Sequence, residues 1–162
     1  MLTEPRKNTP QLLILAYELA EKYHEGQTRR NGKSYFHAHV TQVAHIVACD
    51  YVRLCKDSAS PVWGHMLPLV TMGAVLHDVV EDTDCTYKDL IDAGFPKIVV
   101  EMVRDVTKLP GENYFDFIMR VQESPNIGSK IIKLADLEHN MSDLEDGSQK
   151  AKYQFAHYIL SK

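Results

Sequence analysis

Apolar residues at Leu12, Leu15, Ala16, Leu19, Ala20 and Tyr23 recur three and four positions apart, which predicts an amphipathic helix over 11–23. The stretch before it, 1–10, is polar with two prolines and is expected to be a loose tail, with the folded domain running over 11–162. The segment EGQTRRNGKSY breaks the pattern, and Val40, Val43, Ala44, Val47 and Val52 restore it as a second helix over about 39–56. DSASPVWGH is expected to be a loop. From Leu67 to Val80 the chain is apolar on every side, which predicts a central, buried helix, and charge enters only at its end in HDVVED.

A short helix over TYKDLIDA should stop at Gly94, and Pro96 should sit in the first turn of the next, KIVVEMVRDVTK. Pro110-Gly111 ends that helix. Two more follow at about 113–123 and 128–144, and Gly147 separates a last one carrying Tyr153, Ala156, His157 and Leu160. No alternating strand pattern or repeat stands out, so the expected fold class is all-α, a single-domain helical bundle.

Composition narrows the function. At 162 residues, 44% hydrophobic and 25% charged, the chain is long and apolar enough for one core, which excludes a disordered class. Eighteen basic against 22 acidic residues leave a net charge of −4, without the basic excess that draws a protein to nucleic acid. The longest apolar run near the start, Leu12 to Tyr17, is too short for a membrane span or a signal-peptide core. Cys49, Cys55 and Cys85 form no C-x-x-C pair, which argues against a zinc knuckle or a disulfide framework and for reduced thiols in the cytoplasm. A homo-oligomer remains open.

The chemistry concentrates at His77-Asp78-Val79-Val80-Glu81-Asp82. Carboxylates and an imidazole closing an apolar helix need something to neutralise them, and a metal cation meets that need. Glu81 follows His77 by four residues and Asp82 follows Asp78 by four, so on a continuous helix each pair shares a face. A solvated acidic helix end is the alternative, although carboxylates there oppose the helix dipole. In a second group, Lys133 to Asn140, Asp136 and Asn140 stand one turn apart beside the stripe Ile131, Ile132 and Leu134. Such an Asp is by itself an ordinary surface carboxylate, and a lone His at a helix start, as at His39, is an ordinary cap or core residue.

The motifs GQTRRNGKSYF, a following His, LHDVVEDT and KLADLEHNM, in this order, resemble the HD-domain metal-dependent phosphohydrolases. Within that group the chain is most similar to the hydrolase domain of RelA/SpoT-type alarmone enzymes and their single-domain relatives, over about 12–144. GFPKIVVEMVRDVTK and ENYFDFIMRV also look like the small free-standing members. The resemblance implies an all-helical fold and one divalent metal, usually manganese, on His39, His77, Asp78 and Asp136. Two imidazole nitrogens with two carboxylate oxygens suit such a metal. It implies that Glu81 and Asp82 orient and activate the attacking water, that Arg29 and Arg30 lie beside the nucleotide base, and that Tyr35 and Asn140 line the pocket. The implied reaction removes pyrophosphate from the 3′ position of guanosine tetra- or pentaphosphate. Arg29, Arg30, Lys33, Lys108 and Arg120 are candidates for holding its phosphates.

The chain departs from the family pattern in three places. Where Tyr is usually followed three residues later by His-Pro, position 38 is Ala, with histidines at 37 and 39. His39 keeps the spacing to Val43-Ala44, and His37 is its rival. Leu137-Glu138 replaces a basic-Leu pair, bringing a carboxylate toward the expected anionic substrate, and Asp143 stands where Thr is common. These changes leave room for another nucleotide or phosphorylated metabolite as substrate, and for a noncatalytic nucleotide-binding regulatory domain. His24 either packs near the first motif or is an ordinary structural or exposed loop histidine, and His45, His65, His139 and His157 have no ligand set around them. Trp63 either packs or caps a pocket.

Overall fold

The computed structural model describes residues 7–57 and 62–162, and their side chains outside 50–64. The first six residues of the expected tail and residues 58–61 of the expected loop therefore lie outside what is described, as do the side chains of Cys55 and Trp63. The helices are α1 (Thr9–Tyr23), α2 (Thr41–Asp57), α3 (Val62–Val75), α4 (Val79–Asp82), α5 (Tyr87–Asp92), α6 (Lys97–Val106), α7 (Tyr114–Glu123), α8 (Ile127–Ser142) and α9 (Ser148–Leu160). Among the described residues there is no strand, only a single bridge between Thr28 and Ser34. The chain is all-α, as its periodicity predicts. None of the described helices is long and apolar enough to cross a membrane.

Local chemistry accounts for most helix ends. Asn8 accepts the Gln11 N–H at 3.1 Å while the Gln11 side chain accepts the Asn8 N–H at 2.8 Å, a capping box that starts α1 at Thr9, two residues before the start that the apolar pattern predicts. Thr86 and Asp89 repeat the device at α5. That helix ends at Gly94, whose φ of +93° lets the Phe95 N–H return to the Leu90 carbonyl. Pro96 is the N-cap of α6 rather than a residue of its first turn.

Two departures from regular helix shape the site. The second helix does not begin at His39: Phe36–Val40 forms a wide π turn, closed by the Thr41 N–H on the Phe36 carbonyl, ahead of α2. Nor is the apolar stretch continuous to Val80. The Val79 N–H bonds back only three residues, to Leu76, and Asp78 takes φ −102°, ψ −6°. Those dihedrals belong to the sparsely populated bridge between the helical and extended regions. The break lets the adjacent side chains of His77 and Asp78 aim at one point, which a straight helix forbids because it turns successive side chains about 100° apart.

The core forms around α3, which packs on α1, α2, α6 and α8 and buries Val70, Met72, Ala74 and Val75 completely. α3 meets α8 at Gly73, where a Cβ would stand 2.8 Å from Ile132 Cδ1. A second, smaller core joins α7, α8 and α9 through Phe117, Ile118, Val121, Leu137, Ala156 and Leu160. The candidate site lies between the two.

Candidate active site

His39 comes from the π turn, His77 and Asp78 from the break after α3, and Asp136 from the middle of α8. Each offers one ligand atom, and the four atoms lie within 4.8 Å of one another. His39 Nε2 is 3.3 Å from His77 Nε2, from Asp78 Oδ2 and from Asp136 Oδ1. His77 Nε2 is 2.9 Å from Asp78 Oδ2 and 3.7 Å from Asp136 Oδ1. Both histidines are fully buried or nearly so. The rival, His37, points the other way: its side chain is 67% exposed and sits 3.5 Å from Glu21.

The surrounding groups fix the donors. His77 Nδ1 lies 2.7 Å from the Ala74 carbonyl, so it carries a hydrogen and leaves Nε2 facing the cluster. His39 Nδ1 is paired with His139 Nδ1 at 2.9 Å. Asp136 accepts from Lys133 Nζ at 2.8 Å and from Asn140 Nδ2 at 2.6 Å, and Tyr35 donates its hydroxyl to Asp78 Oδ2 at 2.6 Å. Two imidazole nitrogens and two carboxylate oxygens, converging in a buried place and each held from behind, fit a divalent metal ion.

The electrostatics follow from the same contacts. Burial alone would lower the His77 pKa, but the Asp78 and Asp136 carboxylates override it and lift it to about 10. Burial works against the charge of Asp78 and Asp136 too, yet His77 holds Asp78 below the usual carboxylate range and Lys133 holds Asp136 there. Glu81 and Asp82 behave oppositely. Partial desolvation raises both, opposed at Glu81 by the Lys108 N–H that donates to it at 2.9 Å and reinforced at Asp82 by the Asp78 charge.

A chamber of about 400 Å³ opens over the cluster, lined by Asp78, Glu81, Asp82, Asp136, Lys108 and Lys133 among others. A second of about 240 Å³, lined by Thr28, Arg29, Arg30, Asp143, Leu144 and Gln149, adjoins it. Tyr35, Asn140 and Tyr153 line both. Arg29 is held flat between Asn140 Oδ1 and Asp143 Oδ2, each 2.9 Å away. Among the described residues Arg30 reaches only Gln149, at 3.4 Å.

The structure thus gathers His39, His77, Asp78, Asp136, Glu81, Asp82, Arg29, Arg30, Tyr35 and Asn140 along one cleft. Three other expectations need correction. Lys33 lines neither chamber, and Arg120 bonds Glu112 and the carbonyls of Asp105 and Thr107 instead of facing the cleft. Glu138 is exposed and lines neither chamber, while Leu137 belongs to the smaller core and lines the larger chamber. Asp143 serves to orient Arg29. His139, taken from sequence as a bystander, backs His39, and its place three residues after Asp136 on one helix face was the available signal. His24 takes the packed one of its two readings, buried near the first motif with its Nδ1 paired with Gln27, which in turn donates to the Asp82 carbonyl.

Comparison with known proteins agrees with this geometry. The bifunctional (p)ppGpp synthase/hydrolase SpoT of Escherichia coli K12 is 37% identical over 143 residues, 80% of this chain and 17% of that protein. The guanosine-3′,5′-bis(diphosphate) 3′-pyrophosphohydrolase of Vibrio cholerae is 34% identical over 154 residues, 88% of this chain and 19% of that one. The chain therefore spans less than a fifth of the curated relatives it matches. A solved structure, described as a metazoan ortholog of SpoT that hydrolyzes ppGpp and plays a role in starvation responses, superimposes with a TM-score of 0.67 at 25% identity, covering 98% of this chain and 85% of the other. The model of the HD domain family matches residues 16–161, a span that contains all four converging ligands, and the chain belongs to that family.

Proposed function

We propose that this domain is a manganese-dependent phosphohydrolase that releases pyrophosphate from the 3′ position of guanosine tetra- and pentaphosphate. The observation that carries the reading is the junction of two unlike chambers. One is lined by Asp78 and Asp136 of the four convergent metal-ligand residues, amid further carboxylates and ammonium groups, and the other holds a flat guanidinium suited to a nucleobase. The relatives named for this reaction support it, as does the solved ppGpp hydrolase of like fold. Free thiols at Cys49 and Cys85 favour a cytoplasmic setting.

His39, His77, Asp78 and Asp136 would hold the metal, which when bound acidifies water and offsets phosphate charge. Glu81, its pKa raised and its carboxylate steadied by the Lys108 N–H, accepts the proton of the attacking water, and Asp82 orients that water. Tyr35 stays a phenol, since burial and the neighbouring Asp78 push its pKa up, and its hydroxyl fixes the rotamer of Asp78. Arg29, pinned on its edge by Asn140 and Asp143, presents its face to the base. Arg30 lies at the rim of the same chamber.

The test is turnover of guanosine tetraphosphate by metal-stripped protein with and without manganese, following pyrophosphate and GDP together. Manganese-dependent release of both in equal amounts is expected. No release from protein shown to hold one metal ion would overturn the substrate, and tight nucleotide binding without release would mark a regulatory domain.

A further inference from the structure

Two side chains of the larger chamber have no task in the reaction outlined above. Tyr114 opens α7, and its buried hydroxyl finds no hydrogen-bond partner among the described protein groups. A buried phenol normally has one. Burial pushes its pKa up to about 12, so the group remains a neutral donor. Lys152, on α9, is exposed and has no carboxylate within ion-pair distance among the described residues. Its ammonium lies 4.4 Å from the centroid of the Tyr114 ring and 5.2 Å from that of Tyr153. Aromatic faces attract a cation without neutralising it, so its charge remains available to an anion.

Of the other ammonium groups of the chamber, Lys133 is ion-paired with Asp136 at 2.8 Å. Lys108 holds Glu81 through its backbone N–H, and what sets Lys152 apart from it is the unpartnered Tyr114 hydroxyl at its side. Lys152 and Tyr114, by contrast, form a free cation beside an unused donor, held together because α7 and α9 share the smaller core. That combination recognises an anionic oxygen. Both line the chamber of the metal-ligand cluster and neither lines the one that contains Arg29, so the anion they meet belongs to the reacting end of the substrate.

We infer that the Tyr114 hydroxyl and the Lys152 ammonium form a subsite for the outer phosphate of the departing diphosphate. The inference rests on the phosphohydrolase reading and makes the pair positioning residues for the transferred diphosphate. Contact with its outer oxygens steadies the diphosphate while the water oxygen bonds to its inner phosphorus and the bond to the 3′ oxygen breaks; that oxygen leaves on GDP and takes up the proton that Glu81 removes from water.

The test titrates the metal-loaded 162-residue chain with inorganic pyrophosphate and, separately, with GDP, in wild type, Lys152→Met, Lys152→Arg and Tyr114→Phe. Loss of one charge-assisted contact should weaken pyrophosphate about tenfold in Lys152→Met, and loss of the hydroxyl about threefold in Tyr114→Phe. Lys152→Arg should restore most of the affinity, and GDP binding should stay within about twofold throughout. Lys152→Met and Tyr114→Phe both keep the shape of the side chain, and metal content checks that the site is intact. Unchanged pyrophosphate binding in Lys152→Met and Tyr114→Phe overturns the subsite, and a selective loss of GDP binding overturns its assignment by placing the 5′ diphosphate there. Because pyrophosphate binding is measured without turnover, a wild type that ignores guanosine tetraphosphate refutes the proposed function while the subsite is still judged by its own titration.

Discussion

His39 and His139 face each other through their Nδ1 atoms, 2.9 Å apart, so one ring donates and the other accepts. Burial and the adjacent His39 lower the pKa of His139, which keeps it neutral near pH 7 and lets it accept. The Nδ1 hydrogen then sits on His39, whose Nε2 lone pair is left facing the ligand cluster. Removing such a backing group typically costs about 10–100-fold in metal affinity. His139→Ala should therefore weaken metal binding by at least about tenfold in a chelator competition while the fold persists. Affinity equal to wild type would show that His39 is oriented without it.

His77 makes metal uptake dependent on pH. In the metal-free protein its pKa is lifted to about 10 from an ordinary 6.5, so at neutral pH the ring carries a proton that a cation must displace. Affinity should rise about tenfold per pH unit between pH 7 and 9, with about one proton released per metal ion bound, read by calorimetry in buffers of different ionisation enthalpy. The same shift governs stability without metal. A raised imidazole pKa stabilises the fold fully below about pH 6.5, and that contribution is lost as pH climbs through about 10. Asp78 and Asp136, held below 3.8, contribute above that value and lose their contribution as pH falls. The melting temperature of metal-free protein should thus decline on both sides of neutrality. An affinity independent of pH would show that His77 is already neutral.

The helices were legible because each has a one-sided apolar stripe, and the ends that shifted did so where local hydrogen bonds outweigh hydropathy, as in the Asn8 capping box. The break at Leu76–Asp78 left no such trace. Apolar residues continue through it to Val79 and Val80, and only tertiary packing decides that His77 and Asp78 leave the helix together. The π turn is hidden for the same reason, and its wide geometry is what sends His39 inward and His37 to the surface. Convergence of the four ligand atoms from three distant stretches is invisible to spacing and came from family motifs alone. Tyr114 and Lys152 lie in no motif, and their meeting depends on how α7 and α9 pack.

Glu81→Gln separates chemistry from metal binding. Glutamine keeps a carbonyl oxygen to accept the Lys108 N–H, so the loop contact and the shape of the chamber persist, but it cannot take a proton. Turnover should fall by about 10²–10⁴, the usual contribution of a general base, with metal content unchanged. Asp78→Ala and Asp136→Ala should instead lose the metal. Full turnover in Glu81→Gln would remove its assigned role.

Arg120 acts on the site from a distance. Its guanidinium bonds the Glu112 carboxylate at 2.8 and 2.9 Å and the carbonyls of Asp105 and Thr107 at 3.0 and 2.9 Å, which fastens both ends of the loop that carries Lys108. The Lys108 N–H in turn steadies Glu81. Arg120→Met removes several charge-assisted bonds and strands Glu112, at a cost of about 2 kcal/mol and a fall of about 5 °C in melting temperature. With Glu81 less firmly placed, kcat should drop more than KM rises, because the lost contact positions the proton acceptor and does not touch the nucleotide. Metal content should not change. A variant that melts earlier yet turns over substrate at the wild-type rate would show that the loop holds Glu81 without the Arg120 clamp.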